Sequence, residues 1–168
     1  MRRLIASIIG VVALVVASAG VAAPFASTVR AGGQTVLAFE TMAPVSGAFV
    51  GSSAIRGIPG GGAPWVISSG QGELDAEGNL EVQVTGLVLD PAVVPPPRGG
   101  TNPVPNFKAI VSCLNSDGTT TNVSTGPFPA SSDGNAEIQA TIALPKPCFA
   151  PLIFVAASFG PWFAVTGQ

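Results

Sequence analysis

Glycine and proline punctuate this chain too densely for a three-turn helix to survive past its first two dozen residues. Twenty-one glycines and sixteen prolines are spread over 168 positions. Inside a helix a glycine costs about 1 kcal/mol against alanine, and a proline about 3. Between these breakers lie short β-branched runs bounded by Gly, Asn, Asp and Pro, the pattern of strands joined by turns. The runs predict strands near 35–41, 65–74, 80–89, 106–114, 119–125, 135–144, 152–157 and 162–166. Eight short strands predict an all-β fold, a single-domain antiparallel β-sandwich or flattened barrel over 35–168.

The clearest unit is a hairpin over 65–89. Asp75-Ala76-Glu77-Gly78-Asn79 supplies its turn, because Gly78 and Asn79 tolerate positive φ. Pairing Leu74 with Leu80 sets the register. Gly72 then faces Val82, Gly70 faces Val84 and Val66 faces Val88, all on one side. On the other side Glu73 faces Glu81, Gln71 faces Gln83 and Ser69 faces Thr85. The alternation has period two, so one face belongs to a core and one to water. Beyond Thr85 the wet side turns apolar, with Ile67 opposite Leu87 and Trp65 opposite Leu89; another part of the chain covers that end, or it is a patch. The stretch 135–144 alternates in the same way, with Ile138, Ala140, Ile142 and Leu144 on one side and Glu137, Gln139 and Thr141 on the other. The continuous apolar runs 152–155 and 162–165 suit strands buried on both faces. Six prolines fall in 90–105, read as a long crossover between sheets rather than a linker, since halves of about 60 residues make poor cores.

The first residues predict export. Arg2 and Arg3 precede an uncharged apolar run, and Ala17-Ser18-Ala19 closes it with small residues. This is a secretory signal peptide over 1–19, cut after Ala19 or Ala22, with 20–34 a flexible mature tail. The alternative is an uncleaved anchor over 4–23, long enough to span a bilayer. The expected location is therefore secreted and extracellular, or membrane-anchored through that segment alone. Cys113 and Cys148 form a disulfide in an oxidising compartment.

Charge and residue inventory exclude several functions. Charged residues make up 10% of the chain, against about 25% in typical domains. Without Arg2 and Arg3, five basic residues face nine acidic ones, a net charge near −4. The basics stand singly, so nucleic acid has no footprint to bind. The chain has no histidine, so the familiar acyl-transfer triad cannot be built. No zinc or haem site is expected, and no cofactor. Lys108 points away from Phe107, Ala109 and Val111, toward solvent.

The remaining motifs each have a plain reading. Glu73 and Glu81 oppose each other on the hairpin, where Cβ atoms lie about 4.5–5.5 Å apart. That is close enough for a retaining glycosidase pair, yet they point off a polar face as solvated acids. The glycine loop 57–62 has no lysine and leads into Pro64 and a strand, so it is no phosphate cradle. Asn115-Ser116-Asp117-Gly118 is a turn without the further oxygens of a calcium loop, and Asn122-Val123-Ser124 is a glycosylation sequon by pattern. The ligand site to expect is Arg56 with Trp65, Ile67, Leu87 and Leu89, where the wet face turns apolar. The expected function is a secreted, non-catalytic binding or structural protein of the cell exterior. Its partner would be an extracellular ligand or cell-envelope component, and self-association through strand edges is open to it. The alternative is a histidine-free hydrolase using Glu73 and Glu81.

Overall fold

The computed structural model describes residues 33–51 and 53–166; the expected signal peptide and most of the expected tail lie outside the described residues. The described strands are β1 (Thr35–Phe39), β2 (Met42–Pro44), β3 (Ala54–Ile55), β4 (Ile58–Pro59), β5 (Trp65–Val66), β6 (Ser69–Asp75) and β7 (Asn79–Thr85), followed by β8 (Val88–Leu89), β9 (Asn106–Leu114), β10 (Thr120–Ser124), β11 (Phe128–Pro129), β12 (Ala136–Thr141), β13 (Phe149–Ala157) and β14 (Trp162–Thr166). Among the described residues there is no α-helix, and so none long enough to cross a membrane. Two antiparallel sheets pack into a sandwich: β1-β6-β7-β12, and β10-β9-β13-β14-β2 with β11 also on β9.

The hairpin holds the predicted register, with Leu74 on Leu80, Gly72 on Val82, Glu73 on Glu81, Ser69 on Thr85, Val66 on Val88 and Trp65 on Leu89. It is not one continuous ladder. Both strands break near residues 67–68 and 86–87, where Gly86 takes φ 62° and its N–H bonds Asn135 Oδ1 at 3.0 Å. The buried positions change parity at this break. Leu74, Leu80, Val82 and Val84 are buried below it, and Trp65, Leu87 and Leu89 above it. A similar switch follows the predicted first strand, which ends early at Phe39: β1 pairs with β6 in one sheet, and β2, just beyond the predicted span, pairs with β14 in the other. Short strands that change sheets close the corners of the sandwich.

Two glycines make the first corner possible. A Cβ on Gly72 would stand 2.2 Å from the Glu81 carbonyl oxygen and 2.8 Å from the Phe39 ring, and one on Gly70 would stand 2.7 Å from Met42 Cγ. These positions give up side chains so that β1 and β2 can seat theirs. The C-terminal runs are buried as expected, with 153–157 and 162–166 wholly inside. The crossover 90–105 is fastened down. Gly100 N–H bonds Leu89 O at 2.8 Å, and buried Asn102 donates Nδ2 to Val104 O at 2.8 Å and Ser131 O at 2.9 Å.

The turn before β7 is built on Asp75. Its Oδ1 accepts from Glu77 N–H at 3.0 Å and Asn79 N–H at 2.8 Å, and Oδ2 accepts from Asn79 Nδ2 at 2.7 Å. Burial alone would raise this carboxyl, but bonds from the Asn79 side chain and from the Asn79, Glu77 and Gly78 backbone together hold it below the ordinary carboxylate value. A carboxylate lowered on folding stabilises fully above its unfolded value, near 3.9. That contribution fades as pH falls through the folded value. Asp75→Asn is expected to cost about 1–2 kcal/mol at pH 7, the difference between charge-assisted and neutral bonds. The gap to wild type should close toward pH 2–3. Urea midpoints of both proteins at the two pH values test it; a gap that stays constant would place the stabilisation elsewhere.

Candidate binding faces

The five residues expected to form a ligand site are divided by the structure. Trp65 is 3% exposed, Leu87 0% and Leu89 2%, and Ile67 is half-buried against the same core. The covered reading of that hairpin end is the one observed. The Trp65 ring stacks on Phe163 with centroids 4.0 Å apart and meets Phe107 edge-on at 6.4 Å. Leu89 is roofed by the crossover and Leu87 by the turn at Gly134, through Leu89 N–H to Thr101 O at 3.1 Å and Leu87 N–H to Gly134 O at 3.0 Å.

Arg56 lies on the far side of the second sheet. The segment from Val45 to Ala63 crosses that sheet's outer face, fixed by Gly61 N–H to Trp162 O at 2.9 Å and a parallel bridge between Gly60 and Trp162. Its β3–β4 hairpin turns through Arg56 (φ 49°) and Gly57 (φ 80°), the two positive-φ positions of a tight hairpin turn. Arginine is strained there by about 1–2 kcal/mol, and its guanidinium offsets this by bonding Ser112 O at 2.7 Å. Pro151 lacks an N–H, and the β13 register breaks between Phe149 and Leu152, close to this contact. Asn122 Nδ2 donates to Arg56 O at 3.0 Å, tying the hairpin to β10. Burial lowers the Arg56 guanidinium from its usual value. Arg56 thus works as a clamp between a strap and the sheet. The Ser112 hydroxyl and the Trp162 indole N–H, both buried in this sheet, have no hydrogen-bond partner among the described residues.

The open face is on the other sheet. From β6, β7 and β12 it presents Ser69, Gln71 and Glu73, then Glu81, Gln83 and Thr85, then Glu137, Gln139 and Thr141, all exposed except half-buried Thr85. The register sets them in rows: Glu73–Glu81–Gln139 and Gln71–Gln83–Glu137. Strands about 4.8 Å apart and alternate residues near 6.7 Å along each strand make this a regular grid. Cross-strand bonds fix it: Gln71 Nε2 to Gln83 Oε1 at 3.1 Å, Ser69 and Thr85 hydroxyls 2.6 Å apart, and Thr141 Oγ1 to Asn79 Oδ1 at 2.9 Å. Thr35 donates its hydroxyl to Glu73. A shallow trough of about 400 Å³ lined by Gln83, Thr85, Pro129, Asn135 and Glu137 ends the grid. The described cations, Arg56, Arg98, Lys108 and Lys146, stand on none of its strands.

Sequence alternation marks every residue of this grid, and the hairpin turn places its first two columns. The third column was missed as a neighbour, because nothing local says that β12 pairs with β7. The matching Glu-x-Gln-x-Thr alternation is the only sequence signal that could have joined them. Cys113 and Cys148 form the expected disulfide. No protein-family model, curated protein or solved structure matches the chain.

Proposed function

We propose that this is a secreted, non-catalytic binding protein of the cell exterior that engages its ligand across the open face of the β1-β6-β7-β12 sheet. One observation carries the reading: Glu73, Glu81 and Glu137 share a hydrogen-bonded field of amides and hydroxyls without a cation among them. Such a field favours a partner that brings positive charge together with hydrogen-bonding groups, as an amine-bearing envelope glycan does. Side chains already held by their neighbours lose little freedom on binding. The disulfide supports export, since such bonds persist in oxidising compartments.

The test is retention on immobilised glycans with wild type and with Glu73→Gln, Glu81→Gln and Glu137→Gln combined. These changes keep shape and remove charge. Wild type should bind an aminated glycan better than its acetylated counterpart, less strongly as salt rises to about 0.5 M. The triple variant should lose at least about tenfold of that affinity. Equal retention of both proteins overturns the reading. Glycoside turnover by wild type that Glu73→Gln abolishes would establish the carboxylate-pair hydrolase instead.

A further inference from the structure

One edge of the open sheet carries no further hydrogen-bonded strand among the described residues, although β11 lies beside its start, with Pro129 near Ala136 and Glu137. Among the described residues β12 pairs only with β7, and its six positions run without a shift of register. Ile142 N–H bonds Gly78 O at 2.9 Å, which continues that ladder by one residue. Antiparallel pairing alternates, so the backbone groups of Ala136, Ile138, Ala140 and Ile142 turn toward β7. Those of Glu137, Gln139 and Thr141 turn outward.

The other edges are guarded. β1 has a register shift between Thr35 and Leu37, β2 has three residues ending in Pro44, and β10 has the β3–β4 hairpin tied across it by Asn122. Bulges, prolines and overlying segments are the usual protections against strand addition. β12 has no proline, lysine or bulge.

Its sequence is also complementary to itself about Gln139. An antiparallel copy centred there sets Ile138 beside Ala140 and Ala136 beside Ile142 on the core side, large against small. On the open face it sets Glu137 beside Thr141 and Gln139 beside Gln139. A two-fold axis requires such self-matching. Centring on Glu137 would instead oppose two like charges, and centring on Thr141 would shorten the overlap. We propose that two copies pair through β12 about Gln139, joining two four-stranded sheets into one of eight and doubling the open polar face. The occupant of this edge is a second copy of the chain, whatever ligand the face takes.

An edge of this length makes a small interface, with a dissociation constant in roughly the micromolar to millimolar range. Sedimentation equilibrium of the purified chain, up to about 1 mM, should show monomer passing to dimer. Gln139→Lys places like charges on the axis and should weaken the dimer at least about 100-fold. Within the monomer the introduced ammonium faces Glu81 on β7, so the fold is retained, as a thermal melt would verify. Thr141→Lys faces Glu137 of the second copy twice and should tighten the dimer about fivefold. Asn122→Lys, on β10, should leave it unchanged. A chain that stays monomeric throughout overturns the proposal, as does a dimer that ignores Gln139→Lys or dissociates on Asn122→Lys. Weakening by Thr141→Lys overturns the register. Each of these results is read from mass alone and is independent of the glycan test.

Discussion

Trp65→Ala lowers stability by about 3–5 kcal/mol, the range for truncating a buried large aromatic. Trp65 closes the upper core. It stacks on Phe163, meets Phe107 edge-on, and lies near Gly61, where an added Cβ would stand 3.3 Å from the indole nitrogen and 3.1 Å from Phe163. That close fit leaves the surroundings little room to collapse into the cavity. The loss is a large share of the roughly 5–15 kcal/mol that holds a typical domain together, and the melting temperature should fall by about 10–20 °C. Binding on the open face is expected to survive at temperatures where the variant is folded, because the grid lies on the opposite side of its sheet from this cluster. A variant that melts like wild type yet loses ligand retention would return Trp65 to a surface role.

The same residue shows how far local pattern reaches. Pairing Leu74 with Leu80 predicts Trp65 opposite Leu89 at the far end of the hairpin, and the structure keeps that register. Register follows from turn chemistry and side-chain alternation, both written locally. The side on which Trp65 lands is set elsewhere. The parity switch at Gly86 depends on a bond to Asn135, 49 residues away in sequence. β2 and β3–β4 went unread for a related reason. They are two or three residues long, and their place is fixed by Val165, Trp162 and Ser112 of the distant second sheet. The grid was legible in its columns and illegible in its width. Each strand announces a polar side by alternation, while the neighbour of β12 is a matter of topology.

The disulfide acts where the pairing of β13 with β9 is interrupted. Cys113 is fully buried on β9, and Cys148 just precedes β13, whose first pair, Phe149 on Leu114, is cut off from the rest by the break before Leu152. Ala150 adds a non-glycine φ of 41° at that break. The cross-link ties this start of β13 to β9 and closes a loop with a sequence separation of 35 residues. In the chain-entropy model such a loop is worth about 4 kcal/mol through the unfolded state. Cys113→Ala with Cys148→Ala should therefore lose about 3–4 kcal/mol in chemical denaturation, and wild type under reductant should behave alike. Hydrogen exchange should quicken first at 110–114 and 149–153, while the β6–β7 hairpin, held by Asp75 and its own ladder, keeps its protection longest. A double variant within about 1 kcal/mol of wild type would mean that the packing of Ile153, Phe154 and Val155 alone holds β13 in place.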